Sequence, residues 1–398
     1  MPLREIQNPF AQLRSLLGDS APGGEPIDMT IGAPRHDMPD FVADVIKRTE
    51  AEFMKYPPIA GHPDLQAALE QWHWRRYPTL DGVISAPKNI LPLNGSREGL
   101  FSALFIALER KAFEQKPTVL IPNPFYQCYA AAAIAAGCEP VYLPCHADTN
   151  FLPDLEAIEP ELLSRTAAFY ICSPSNPQGA VADKAYLEKV IDLARRYDFM
   201  VFADECYSEI YSEKPPTGAL EVAMGMDRSQ DEDPFANVIV FNSLSKRSNV
   251  PGLRSGFCAG EAKFMANYMA FRNVACPQIP LPIQIVSAQI WADEAHVIKS
   301  RKLYQLKFDL ADELLSGCFN YKKPEGGFFL WLNFSEFGGG EAVASTLWKG
   351  FGVKILPGAF LAQNVSGEKN PGEDYGRIAM VHNIEVTRKA LEHISMLI

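Results

Sequence analysis

Short runs of consecutive apolar residues alternate with amphipathic helical stretches through most of this chain, and few architectures accept that alternation. From about residue 46 the helical stretches GHPDLQAALEQWHWRRY and SREGLFSALFIALERKAF lead to strand TVLIP, helix YQCYAAAAIAAG and strand PVYLP. Strand AAFYICS, helix DKAYLEKVIDLARRY and strands MVFADE, NVIVFNS and GFCAG follow. The strands carry apolar residues side by side instead of at every second position, as strands covered by helices on both faces do. The expected class is therefore α/β. After about residue 281 one long helical stretch, IQIVSAQIWADEAHVIKSRKLYQLKFDLADELLSG, precedes FFLWLNF, VKILPG and GRIAMV. That grouping predicts a smaller α+β domain over residues 281–398, beside a large domain over 46–280. Residues 1–45, punctuated by APGGEP and IGAPRHDMPD, read as an arm packed on the smaller domain.

The 398-residue length supports two or three domains, and 47% hydrophobic with 21% charged residues excludes wholesale disorder. Net charge is 37 − 48 = −11, which opposes a general attraction to nucleic acid or anionic lipid. The WHWRR cluster at 72–76 reads as part of an amphipathic helix, and the acidic DRSQDEDP at 227–234 as a solvated connector. Eight cysteines without a CxxC pair, mostly inside apolar stretches, fit buried free thiols. MPLREIQNPF has no apolar signal core, and no run approaches the roughly 18 apolar residues of a spanning helix. A cytoplasmic protein with no membrane segment is expected.

Three polar clusters sit where strands end. Asn242-Ser243-Leu244-Ser245-Lys246 follows the apolar VIVF, with Arg254 in the next turn. Lys246 is a surface lysine or, if buried near another cation, an amine that gives up its proton readily and can form a Schiff base with a carbonyl. In the second case Arg254, Ser243 and Ser245 suit a phosphate. Asn94-Gly95-Ser96-Arg97-Glu98-Gly99 opens a helix, either as an ordinary cap or as an anion site on free backbone N–H groups. No P-loop pattern occurs, which argues against a nucleoside triphosphate. Asp204 and Tyr207 end the strand MVFADE, and Asn176 follows AAFYICS. Acids at such carboxyl ends lie on the ligand face of an α/β sheet, although Asp204 could equally cap a helix.

Asn176-Pro177, Asp204 with Tyr207, and Ser243-x-x-Lys246 with Arg254 eight residues on resemble, in this order, the fold type I pyridoxal 5'-phosphate aminotransferases of class I and II. The resemblance runs from about Asn8 to Arg388. It implies a large domain with a mostly parallel seven-stranded sheet between helices, plus the smaller α+β domain. It further implies pyridoxal 5'-phosphate held by Lys246, with Asp204 paired to the ring nitrogen and Asn176 and Tyr207 on the ring hydroxyl. Tyr126 matches the aromatic that stacks on the ring, with core packing as its other reading. The phosphate would rest on Ser96 and Arg97 backbone, with Ser243, Ser245 and Arg254 supplying side chains. Tyr56 resembles the tyrosine that reaches the phosphate of a neighbouring subunit, which implies a homodimer with shared sites. Arg377 resembles the arginine that grips the substrate α-carboxylate; Gly32 lies beside the same group, and Asn176 belongs to that substrate site as well. No metal is implied.

Asn8-Pro9-Phe10-x-x-Leu13-Arg14-x-Leu16-Leu17, Pro34-Arg35-His36, Asn123-Pro124-Phe125-Tyr126-Gln127 and Ser243 to Asn249 are most similar to the N-succinyl-L,L-diaminopimelate aminotransferases of bacterial lysine biosynthesis. Ala33 departs from that pattern, where an acidic residue is expected. A substrate with several carboxylates needs cations besides Arg377, and Arg35 and Arg97 are the candidates. The alternatives are a general alanine, aspartate or aromatic aminotransferase, and a β-lyase acting on cystathionine-like thioethers. Regulators built on this fold also exist, but they would add a DNA-binding domain.

Overall fold

The computed structural model describes Ile6 and residues 8–229, 231–365 and 367–398. Residues 1–5 and 7 of the opening segment and Gln230 of the acidic loop lie outside the described residues. Seven strands form the main sheet: β1 (Ile90–Leu93), β2 (Thr118–Asn123), β3 (Glu139–Pro144), β4 (Thr166–Cys172), β5 (Met200–Asp204), β6 (Val238–Ser243) and β7 (Gly256–Gly260). Their spatial order is β1-β7-β6-β5-β4-β2-β3. Strands β2 to β6 run parallel, and β7 is antiparallel to both of its neighbours. Every residue of β4, β5, β6 and β7 is buried, which is why these segments read as unbroken apolar runs. Strand β1, missing from the sequence reading, has four residues and a proline in its middle. It lies at the sheet edge, where a residue without an N–H is tolerated.

A second, antiparallel sheet follows in the order β9-β10-β8, where β8 is Phe329–Asn333, β9 is Leu356–Pro357 and β10 is Tyr375–Ala379. Ile27–Asp28 pairs in parallel with Val353–Lys354, so the arm enters this part of the fold through backbone bonds. Leu13, Leu17, Ile27 and Met29 share one buried cluster with Phe329, Leu347 and Ile378.

The single long helix expected after residue 281 is two helices, Leu281–Ala292 and Ala295–Leu315. Asp293 is extended (φ −88°, ψ 122°), and its carboxylate accepts from the His296 N–H. An aspartate that caps the second helix ends the first, a capping role the apolar periodicity hides. Trp72 is buried against Trp291 and Phe257 at 5.2 and 5.5 Å between ring centres, so Trp72 and His73 of the WHWRR cluster are core, while Arg75 faces outward. The acidic loop does more than connect: Asp233 accepts from the N–H of Ala262 at the start of the helix Ala262–Ala275. Cys276 and Cys318 are only partly buried, whereas the other six thiols are buried, and all eight are free. No helix among the described residues is long and apolar enough to cross a membrane.

Glu209 joins the layers from beneath. Its carboxylate accepts from Arg76 Nε at 3.0 Å and Arg301 Nη2 at 2.8 Å, linking the helix Pro63–Arg76 to Ala295–Leu315. Glu209 is 4% exposed and both arginines are largely covered, so removing the carboxylate strands two guanidinium groups. Glu209→Ala is expected to cost about 3 kcal/mol or more, read as unfolding at lower urea concentration. An unchanged urea midpoint would contradict this account.

Candidate active site

The carboxyl ends of β4, β5 and β6 lie side by side, with Cys172 level with Asp204 and Asp204 level with Phe241. A cleft of about 1370 Å³ opens at this edge. Gly32, Ser96, Arg97, Tyr126, Asn176, Asp204, Tyr207, Ser243, Ser245, Lys246, Arg254 and Arg377 all line it. These positions span most of the chain, and the fold brings them to one place. Tyr56 is outside the cleft and fully exposed.

Asp204 ends β5 and is 6% exposed. It accepts from Tyr129 Oη at 2.8 Å and from the Cys206 N–H at 3.2 Å. Burial raises its pKa, and the bonds from Cys206 and Tyr129 oppose that rise. No cation lies within ion-pair distance of it among the described residues. Asp204 is thus a buried carboxylate with neutral donors and an unmet electrostatic partner.

Lys246 lies in the short helix Leu244–Arg247, which starts where β6 ends. Its Nζ donates to the Gly32 carbonyl and lies 5.2 Å from the centre of the Phe328 ring. Burial lowers its pKa to about 8; Arg377 and Arg97 push the same way, whereas Cys206 and Asp204 oppose. Lys246 is thus half-buried on the cleft wall and not a free surface lysine. Arg247, the next residue, turns away to the Ile290 carbonyl at 3.0 Å and to Glu294 at 2.7 Å, so its role is structural.

The helix Ser96–Ala107 begins at this cleft, and Gly95 before it (φ +77°) supplies no side-chain cap. Its first N–H groups therefore remain available to a ligand, as an ordinary capped start would not leave them. A Cβ on Gly95 would stand 2.3 Å from Arg254 Nη2, so glycine is what lets that guanidinium come against the turn. Arg254 is held by the Pro251 and Asn94 carbonyls at 2.8 and 3.2 Å. Ser243 Oγ donates to Ser245 Oγ at 2.8 Å. Hydroxyls, free helix N–H groups and an arginine make a donor set that matches a phosphate dianion.

Arg377, on β10, is 5% exposed and crosses to the main sheet. It donates to Asn176 Oδ1 at 2.9 Å and to the Thr30 carbonyl at 2.7 Å, over the Phe329 ring at 4.4 Å. Its Nε has no protein partner, and burial lowers its pKa to about 10. Arg97 Nε donates to Tyr126 Oη, and Arg97 makes no ion pair among the described residues. Tyr126 lines the cleft and so is more than core packing. Arg35, in contrast, is exposed beyond the cleft and contacts His382 Nδ1 at 3.1 Å, which removes it as a second cation for substrate.

Sequence reasoning missed Tyr129, Cys206, Thr30 and Phe329. Tyr129 is one helical turn from Tyr126, and Cys206, whose Sγ lies 3.0 Å from Ser96 Oγ, is inside the Asp204–Tyr207 segment, so proximity pointed to both. Nothing local marks Thr30 or Phe329.

Residues 25–394 match the family described as aminotransferase class I and II. Among solved structures, an aminotransferase from Neisseria meningitidis Z2491 superposes with a TM-score of 0.91 at 39% identity, over 99% of this chain and 98% of that one. Aminotransferase AspB from Helicobacter pylori 26695 gives 0.88 at 32% identity, covering 98% of both chains. Among curated relatives, LL-diaminopimelate aminotransferase from Desulforudis audaxviator is 30% identical over 93% of this chain and 90% of its own length. The corresponding enzyme of Dehalococcoides mccartyi strain CBDB1 is 29% identical, over 97% of this chain and 95% of its own. The match over nearly the whole chain shows that it belongs to the class I and II aminotransferases, which are pyridoxal-phosphate-dependent enzymes.

Proposed function

We propose that this aminotransferase moves an amino group between glutamate and a diaminopimelate-type acid, with N-succinyl-L,L-diaminopimelate and its 6-oxo counterpart as the preferred pair. The carrying observation is the charge of the cleft wall. Two carboxylates line it among the described residues: Asp204, and Glu98, whose charge is met by Arg272. In this reading the ring nitrogen of the cofactor takes Asp204, and Glu98 is already ion-paired, so neither is left for a distal ammonium. Arg97 carries no counterion and suits a second carboxylate. N-succinylation turns the distal ammonium into a neutral amide and adds an anionic end, so the succinylated acid suits this wall better than the free diamine. The printed names of the curated relatives favour the other reading, in which LL-diaminopimelate itself is the substrate.

Pyridoxal phosphate, when bound, supplies an electron-withdrawing ring that stabilises charge at the substrate α-carbon. In this reading Ser243, Ser245, Arg254 and the backbone N–H groups at Ser96 and Arg97 hold its phosphate, and Tyr126 covers its ring. Asp204 keeps the ring nitrogen protonated, meeting the partner its burial demands. Tyr207 and the amide nitrogen of Asn176 take the ring hydroxyl. Lys246 Nζ would hold the cofactor through its aldehyde carbon at rest and, as a free amine while substrate is bound, would take and return the substrate α-proton. Arg377 fixes the α-carboxylate beside Gly32, and its bond to Asn176 ties orientation of substrate to that of the ring. The exposed Tyr56 serves the phosphate of a partner subunit in a homodimer.

A donor and acceptor panel on purified enzyme tests this function. The kcat/KM for N-succinyl-L,L-diaminopimelate is expected to exceed that for the free diamine by about tenfold or more. Equal or better use of the free diamine would establish the second reading. Faster turnover of alanine, aspartate or aromatic acids, or pyruvate release from cystathionine, would replace both.

Three further outcomes are expected. Because Lys246 keeps its proton only below about pH 8, NMR of reductively ¹³C-methylated apoenzyme should show a lysine signal titrating near there, distinct from that of Lys307, that is absent in Lys246→Ala; if the signal lost in that variant titrates above 10, its desolvation is contradicted. Arg97→Gln should raise KM for the succinylated acid by about 10- to 100-fold, the loss of one charged hydrogen bond, and raise that for alanine far less. An equal effect on both would take Arg97 out of side-chain recognition. Mixing Tyr56→Ala with Lys246→Ala subunits should regain activity, since each mixed dimer rebuilds one intact site. Verified mixed dimers without any gain would refute shared sites.

A further inference from the structure

The segment after Asp28 crosses the cleft as a strap outside either main sheet. Two of its carbonyls touch the site: Thr30 accepts from Arg377, and Gly32 accepts from Lys246. Met29 is tied by backbone bonds to Lys354 and Ala379 at 3.0 and 2.7 Å, but the strap beyond it has few such bonds and must be held by side chains. At its near end Asp28 Oδ1 accepts from the Thr30 N–H at 2.9 Å and from Thr30 Oγ1 at 2.6 Å.

Its far end is held by His36, a residue singled out in the sequence that the site does not use. Lys307 Nζ, on the helix Ala295–Leu315, donates to His36 Nε2 at 2.7 Å and to the Met380 carbonyl at 3.0 Å. His36 Nδ1 lies 3.0 Å from Ser300 Oγ, and its ring packs 4.4 Å from that of Tyr304. Asn249 adds a bond from its Nδ2 to the Asp37 carbonyl at 3.1 Å. Lys307 is 2% exposed and has no carboxylate within ion-pair distance among the described residues. Burial brings Lys307 down to about 7 and His36 to about 4, so His36 is neutral and its Nε2 accepts. A buried amine without a counterion is costly. The same wall faces the active site: Tyr304 stacks on Phe328 at 5.4 Å, and Phe328 packs on Tyr207.

We infer that Lys307 and His36 are positioning residues that pin the strap, keeping the Thr30 and Gly32 carbonyls on Arg377 and Lys246. The functional half of this inference rests on the proposed role of Arg377 at the substrate carboxylate.

Hydrogen exchange by mass spectrometry on the holoenzyme, alongside steady-state kinetics, tests it. Lys307→Met removes the amine and keeps the stem; His36→Phe keeps the ring against Tyr304 and removes both nitrogens, attacking the same contact from the other side. Both should speed exchange across residues 29–37 by about tenfold, the worth of one lost net hydrogen bond, with the main sheet unchanged. KM for the amino acid should rise more than kcat falls. Lys307→Gln, which retains an N–H donor, should keep strap exchange within about threefold of the parent. Unchanged strap exchange in both the Met and Phe variants, or Gln as loose as Met, would overturn the pin. A loosened strap with unchanged KM would leave the pin standing and contradict the assignment of Arg377 to the carboxylate.

Discussion

An amine has to be kept dry beside a carboxylate at the end of a parallel sheet, and the rest of this structure follows from that requirement. Lys246 loses hydration because β6 delivers it into a wall built from both sheets, and Arg377 lowers its proton affinity further. Asp204, one strand away, is buried with the opposite need: its charge lacks a cation at ion-pair distance among the described residues and is supported by Cys206 and Tyr129. Each group is costly alone. A ligand that brings a carbonyl to the first and a protonated nitrogen to the second relieves both.

The parallel arrangement makes that pairing possible. Adjacent parallel strands place their carboxyl ends on one edge, so Asn176, Asp204 and Lys246 need only follow their strands by a few residues to converge. The helix Ser96–Ala107 adds its uncapped N-terminus to the same edge, and Gly95 admits Arg254 beside it. Arg377 comes from the second sheet, and the strap closes over the cleft between them. The substrate end of the site thus depends on contacts between distant parts of the chain, whereas the cofactor end is built largely from strand termini.

This division explains what the sequence made legible. Buried parallel strands announce themselves as apolar runs, and Ser243, Lys246, Asp204 and Asn176 follow such runs immediately, so position on the sheet edge was readable from order alone. Strand β1 escaped because four residues around a proline carry no pattern. The helix break at Asp293 escaped because a capping aspartate on an amphipathic face looks like an exposed charge. The anion cradle was legible as a Gly-Ser helix start, while its lack of a competing cap was not. The Lys307–His36 bond joins residues 271 positions apart; Pro34-Arg35-His36 stood out as a motif, but no local pattern marks Lys307 as its partner. Arg35 and Arg97 were indistinguishable as isolated arginines; only the fold separates one on the cleft wall from one facing His382.

The central claim is that the ε-amine of Lys246, half-buried in the cleft, is where the cofactor is held. Borohydride reduction of the holoenzyme, followed by peptide mapping, tests it most directly. The account requires the pyridoxyl group on the peptide that carries Lys246 and no covalent label in Lys246→Ala. A label on any other lysine, or an undiminished label in that variant, would contradict it.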